Sequence, residues 1–227
     1  MSMFLSDESS FIMHADSRRS TTGSDAKNEP MFFNYNAAAL QRAVLPPRPL
    51  TQYFLGWLDD VLGWDLRETV VDSRTHMLMP GWYPCIPGWH HDDVPRTRSD
   101  GQPNYEDGSP LVEHAMMICG DRVAPTEFLV GQPTIVIPPV GSRRPVYASC
   151  HDQIEDQIAG GRLQRHSAEF DRVITFNSRT WHRGVAAQGT GWRWFIRASR
   201  NTPRVLSCTN EIRSQVQVYM SAENAGW

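Results

Sequence analysis

Beyond residue 68 the chain is cut into short apolar or alternating runs, at 75–79, 113–119, 126–130, 134–137, 172–176 and 192–198. Turn-forming clusters such as Cys119-Gly120-Asp121 and Gly189-Thr190-Gly191 separate them. Runs of this length suit strands and are too short for helices that must bury a face. Six or more such strands close into a sandwich or barrel, with helices buttressing what the sheets expose. The 16 Gly and 16 Pro punctuate a chain of this kind and disfavour an all-helical bundle. Its 227 residues suffice for one good-sized core. No repeat recurs at a fixed period, which sets aside solenoids and propellers.

Ahead of the strands, Leu50, Phe54, Trp57, Leu58, Val61 and Leu62 fall at helical spacing and predict an amphipathic helix over 49–66. A second helix is predicted over 152–163, where Ile154 and Ile158 share a face and Gly160-Gly161 supplies the stop. Ile212, Val216 and Tyr219 share helical spacing within 211–220, a segment suited to packing on the barrel or on a partner. Residues 6–30 are rich in Ser, Thr, Asp and basic side chains and have no apolar face. Residues 1–30 are therefore expected to form a mobile arm, and 31–227 a single domain.

The net charge of −3 offers no chain-wide attraction for nucleic acid or anionic lipid. Local basicity is confined to Arg143-Arg144 with Arg162 and Arg165, and surface arginines of this kind are ordinarily solvated. A nucleic-acid partner is not indicated. No apolar run reaches the length of a membrane span, and the first residues lack a signal peptide's basic flank and apolar stretch, so a soluble, cytoplasmic protein is expected. Cys85, Cys119, Cys150 and Cys208 are widely scattered with no CxxC pair, which predicts free thiols and neither a zinc knuckle nor a disulfide framework.

Most of the eight histidines read as ordinary. His76, His114, His151 and His166 have no ligand-type residue two positions on, and His14 with Asp16 lies in the polar leader. Trp89-His90-His91-Asp92-Asp93 is different, because two imidazoles and two carboxylates follow the Pro/Gly-broken stretch 80–88. In extended backbone residues i and i+2 share a side, so His90 with Asp92, or His91 with Asp93, can reach one cation. The same run also reads as a polar surface turn capped by its own Asp side chains. The best candidate for a third ligand is His182, shortly after the apolar run Val173-Ile174-Thr175-Phe176. Two His and one carboxylate on one face of an octahedron leave three positions open, which suits non-haem Fe(II) and O₂ chemistry better than a closed zinc site.

Trp192-Arg193-Trp194-Phe195-Ile196-Arg197 alternates, with Arg193, Phe195 and Arg197 on one face and Trp192, Trp194 and Ile196 on the other. A hairpin centred between Ala187 and Gln188 would oppose His182 and Arg193 on neighbouring strands and project them to the same side. There the planar fork of Arg193 can bind a carboxylate in bidentate fashion. The plainer reading of Arg193 is an exposed edge-strand charge, and of the tryptophans, core packing.

Taken in order, Trp89-His90-x-Asp92, Trp181-His182-Arg183-Gly184 and Gly191-Trp192-Arg193-Trp194 resemble the Fe(II)/2-oxoglutarate-dependent dioxygenase superfamily, particularly its phytanoyl-CoA-hydroxylase-like branch, over roughly residues 75–200. The resemblance implies a mainly β fold with supporting helices, a double-stranded β-helix or jelly roll of cupin-like form. It implies that His90, Asp92 and His182 bind Fe(II) at the catalytic centre and that Arg193 holds the distal carboxylate of the co-substrate 2-oxoglutarate. O₂ would then be consumed in hydroxylating a C–H bond, with release of succinate and CO₂. An aromatic residue before the first ligand, as Trp89 is, favours His90 and Asp92 over His91 and Asp93. The step of eleven residues from His182 to Arg193 is one longer than the family's commonest pattern, which keeps Arg197 as the alternative anchor. Thr126 falls where the family has a strand lining the cofactor.

The near-neutral charge favours a small-molecule substrate. Two rival readings stand beside this one: a non-catalytic cupin-like module that binds metal or ligand, and an oxygenase of the same fold acting on nucleic acid or protein. The long unpatterned connection between Asp92 and Glu113 is expected to be a lid, with Trp82, Tyr83 and Trp181 as candidates for the mouth of the site.

Overall fold

The computed structural model describes residues 3–5, 9–17, 20–42, 49–204 and 218–220. Its strands, in chain order, are β1 (Met3–Leu5), β2 (Phe11–Met13), β3 (Tyr35–Asn36), β4 (Val70–Leu78), β5 (Glu113–Gly120) and β6 (Thr126–Val130). They continue with β7 (Ile135–Ile137), β8 (Gln164–Ser167), β9 (Val173–Asn177), β10 (His182–Gly184) and β11 (Gly191–Arg200). The helices are α1 (Gly23–Ala26), α2 (Ala37–Arg42), α3 (Pro49–Asp60) and α4 (Val146–Ala159). The protein is thus mainly β, and its strand pairs are antiparallel.

A six-stranded sheet runs in the order β2-β9-β5-β11-β4-β3, and a three-stranded sheet in the order β10-β6-β8; β1 and β7 form a separate pair. The large sheet has two unlike faces, set by simple alternation along its strands. Ala115, Met117 and Cys119 of β5 and Trp194, Ile196 and Ala198 of β11 point to one side, where they pack with Leu50, Phe54 and Leu58 of α3. The intervening Met116 and Ile118 point the other way, into a cluster with Phe128 of the small sheet and with Ile174 and Phe176. Burying each of the large side chains here is worth about 1.5–3 kcal/mol, so the two clusters hold helix, large sheet and small sheet in layers.

Both long helices sit where the apolar spacing placed them, with shifted ends. α3 buries Leu50, Phe54, Trp57 and Leu58 but stops at Asp60, leaving Val61 half exposed. The stop is Gly63, whose φ of 63° closes the last turn by an N–H donated to Asp59 O at 3.1 Å. α4 begins at Val146, ahead of the predicted 152, because Val146, Cys150 and Ile154 continue the stripe backward by one turn at each step; it ends before Gly160-Gly161. At the start of α3 the unpaired N–H groups of Leu50 and Thr51 donate to the Glu29 carboxylate at 2.9 and 3.2 Å, a cap contributed by a residue distant in sequence.

Four expectations meet a different structure. No hairpin joins His182 to Arg193: β10 pairs with β6, in register His182↔Phe128, while Arg193 pairs with His76 and Gly120 in the large sheet. Residues 185–190 carry the chain between the sheets, held by Ala187 N–H to Trp82 O (2.8 Å) and Gln188 N–H to Val123 O (2.9 Å). Spacing alone does not tell a turn within a sheet from a crossing between two. The described part of 1–30 is docked: β1 lies on β7, β2 forms the edge of the large sheet beside β9, and Thr21 accepts the Gly120 N–H at 3.0 Å.

The connection 93–112 lines no part of the central cavity. It is folded against the outside of the small sheet by Arg98, bonded to Asp100 and to Pro138 O, and by Tyr105 O, which accepts from Arg179. In the C-terminal segment, 211–217 and Cys208 lie outside the described residues, and Tyr219 forms a bridge with Tyr83 in place of a helical turn. Cys85, Cys119 and Cys150 are free thiols, and no described helix is long and apolar enough to cross a membrane.

Candidate metal centre and its cavity

A cavity of about 360 Å³ opens between the two sheets. β4 contributes Asp72, Arg74 and His76 to its wall, and β11 contributes Arg193, Phe195 and Arg197. These face one another in register: Arg193 opposite His76, Phe195 opposite Arg74, Arg197 opposite Asp72. The small sheet adds Thr126 and His182, and the irregular stretch before β5 adds Cys85, Ile86, His90 and Asp92.

His90 and His182 are joined by a two-way backbone bridge, His90 N–H to His182 O at 3.0 Å and the reverse at 3.1 Å. The bridge sets the two rings side by side, 4.5 Å between centroids. The flanking residues fasten this bridge to α4. The Trp89 indole N–H donates to Glu155 at 2.7 Å, and Arg183 reaches the same carboxylate at 3.0 Å while lying over the Trp89 ring. Gly184 is required beside it, because a Cβ there would stand 2.7 Å from Cys85 O.

The imidazole Nδ1 atoms donate to carbonyls, His90 to Gly88 O at 2.7 Å and His182 to Thr180 O at 3.0 Å. A carbonyl only accepts, so these bonds fix the hydrogen on Nδ1 and turn Nε2 inward as the available donor. Asp92, two residues beyond His90, points the same way, with Oδ2 3.2 Å from His182 Nε2 and Oδ1 3.9 Å from His90 Nε2. Ligand atoms of all three residues lie within 4.8 Å of one another, and this is the one group of its kind among the described residues. Burial foremost, then the neighbouring His182, pushes the His90 pKa down to about 4, so its ring is neutral at neutral pH. Burial works against the Asp92 charge, but Arg197 and then His182 outweigh it and hold the carboxyl well below the usual range. Two imidazole nitrogens and one carboxylate converging in this way fit a divalent transition metal.

Arg193 stands on the facing sheet and is almost wholly buried, at 1% exposure. Its Nε donates to Ala124 O at 2.8 Å and one Nη to Thr126 Oγ1 at 3.2 Å, so Thr126 steadies the fork. Burial lowers its pKa to about 10, which leaves it charged at neutral pH. No described carboxylate pairs with it. Arg197, beyond Phe195 on the same face, pairs with Asp92 and, at 3.2 Å, with Asp72. Asp72 also pairs with Arg204, whose other contacts include Asp93 at 3.1 Å.

The alternative pair His91 and Asp93 is turned away from this cavity. His91 stacks on Trp181 at 3.7 Å and contacts the Tyr105 hydroxyl at 3.0 Å, and Asp93 takes a positive φ of 56° toward Arg204. Trp82 and Trp181 are packed in or against core clusters and do not line the cavity, which Pro84, Cys85, Ile86 and Tyr219 do. Asp72, Arg74 and Cys85 were not among the residues the sequence singled out. The signal for Asp72 and Arg74 was alternation: β4 starts at Val70 and not at 75, and its cavity face reads Asp, Arg, His.

Comparison with known proteins adds little. No family model matches the chain, and no curated protein matches it. Among solved structures, the apoform of EctD from S. alaskensis superposes with a TM-score of 0.39 at 12% identity, covering 82% of this chain. The chain spans 61% of the length of that protein.

Proposed function

We propose that this protein is a non-haem Fe(II)/2-oxoglutarate-dependent dioxygenase that hydroxylates a C–H bond of a small-molecule substrate. One observation carries the reading. A single cavity holds, on the small sheet and the irregular stretch bridged to it, two inward Nε2 ligand atoms with a carboxylate and, on the large sheet, a buried guanidinium with no described carboxylate partner. The first fits a facial set of metal ligands, and the second fits the far carboxylate of a chelating oxo-acid. We read the two facing sheets as the double-stranded β-helix, or jelly roll, that such sites occupy. The phytanoyl-CoA-hydroxylase-like assignment within the superfamily rests on the sequence motifs alone, and a cytoplasmic location on the free thiols among the described residues.

In this reading His90, Asp92 and His182 hold Fe(II), and Arg193, steadied by Thr126, takes the distal carboxylate of 2-oxoglutarate. When bound, iron with 2-oxoglutarate and O₂ supplies the oxidative chemistry, yielding succinate, CO₂ and a hydroxylated product. The chain supplies position and exclusion. Carbonyls behind both imidazoles fix their tautomer, Arg197 keeps Asp92 ionised and aimed, and Met116, Phe176 and Phe195 make the wall apolar where water would quench an oxidant.

Anaerobic titration with Fe(II) and 2-oxoglutarate tests the assignment. The expected result is the weak visible charge-transfer band of the chelate in the unmodified protein and its loss in Asp92→Ala, together with succinate formation in air. No band in the unmodified protein, or a band that survives Asp92→Ala, overturns it. A band without succinate for any substrate would leave a metal-binding module without turnover.

A further inference from the structure

The charges lining the cavity do not cancel, and the residue is local. Its cations are Arg74, Arg193 and Arg197 and its carboxylates are Asp72 and Asp92. Arg197 is held between the two carboxylates, and Asp72 has Arg204 as a second partner. If iron and 2-oxoglutarate bind as proposed above, the doubly charged metal and the doubly charged oxo-acid offset each other in total charge, so three guanidiniums against two carboxylates leave one positive charge, and Arg193 is the guanidinium that the acid's far carboxylate contacts. One guanidinium remains: Arg74, in the middle of β4, half-buried on the cavity wall, with no described carboxylate within ion-pair distance.

The surroundings of Arg74 define what it can receive. Across the ladder stands Phe195, and Tyr219 and Cys85 lie close enough to feel the Arg74 charge, with Ile86 and Pro84 also lining the cavity. This is a largely apolar and aromatic stretch of wall around one guanidinium, suited to a flat or short-chain body bearing a single anionic group. The cavity is near the lower end of ligand-pocket volumes and has also to hold the oxo-acid, so the second occupant is small.

We propose that Arg74 docks one carboxylate of the primary substrate, which makes the substrate class small monocarboxylic acids. The inference deepens the oxygenase reading and rests on it. A carboxylate is preferred to a phosphate monoester because a single positive charge is left over, and a dianion would bury an unmatched one.

The test uses the full-length protein loaded anaerobically with Fe(II) and 2-oxoglutarate. The chelate band of the unmodified protein is recorded first, and its absence overturns the oxygenase reading itself before Arg74 is touched. A panel of small carboxylic acids, each paired with its own amide and with phosphate monoesters of matched carbon skeleton, is then screened by perturbation of that band. At least one acid is expected to bind at least about 30-fold more tightly than its amide. Arg74→Met should weaken that acid by a similar factor while leaving 2-oxoglutarate affinity within about two-fold, which also shows that the variant is folded. Arg74→Lys, which keeps the charge and loses the fork, should fall between the two. The proposal is overturned if no acid in the panel binds, if acids and amides bind alike, if phosphate monoesters are preferred, or if Arg74→Met weakens 2-oxoglutarate instead.

Discussion

The two faces of the large sheet are built from the same strands yet obey opposite rules. Toward α3 the residues are apolar and mutually packed, Met117, Cys119, Trp194, Ile196 and Ala198 among them. Toward the cavity, β4 and β11 alternate to Asp72, Arg74, His76, Arg193 and Arg197, a face that gains little from folding and includes a buried charge without a carboxylate. A sheet can carry such a face only because its other face is so well buried. Stability and binding should therefore separate along a single strand, residue by residue.

The largest effect that would break this division is at Trp194. Its replacement by Ala should cost about 3–5 kcal/mol in urea unfolding, while the fraction still folded binds Fe(II) and 2-oxoglutarate nearly as before. One position earlier, Arg193→Met should do the reverse. It should weaken 2-oxoglutarate by about 2–3 kcal/mol, on the order of 100-fold, and leave the unfolding midpoint of the ligand-free protein unchanged or higher, since a buried cation has been replaced by an apolar side chain of similar size. A lower midpoint would show that Arg193 is a structural residue.

The same contrast can be sharpened across a single peptide bond. His90 faces the cavity and His91 packs on Trp181, so His91→Ala should destabilise by about 1–3 kcal/mol and keep the iron chelate band. Loss of the band with stability intact would transfer the metal site to the other register. The smallest effect is Ile196→Val, expected to cost about 0.5–1.5 kcal/mol with no change in ligand affinity, measured on the same two axes.

How much of this was legible in the sequence follows the same split. The alternation of β11 could be read directly, because period-two patterning is a local property, and so could the shared side of His90 and Asp92. Which sheet a strand joins is not local. His182 and Arg193 do line one cavity, but from facing sheets, and the spacing between them was consistent with both arrangements. The N-terminal strands were invisible for a different reason: β1 and β2 have three residues each, too few to show alternation, although Leu5, Phe11 and Met13 pack in or against the apolar clusters and Thr21 adds a polar contact to Gly120. Arg74 lies outside the run 75–79 that apolar patterning marks, because the polar cavity face of β4 begins at Asp72, ahead of that run.

The carboxylate of Glu29 closes the first turn of α3 from outside that helix, and its own backbone carbonyl accepts the Thr75 hydroxyl of β4 at 3.0 Å. Met31, two residues on, is where a composition-guided trim of the polar leader would begin a shortened chain. Such a chain would retain every residue of the cavity wall and still lose the carboxylate that seats α3 against the sheet behind it. The polar leader is in this sense part of the scaffold, and the natural place to cut lies upstream of the strands it contributes.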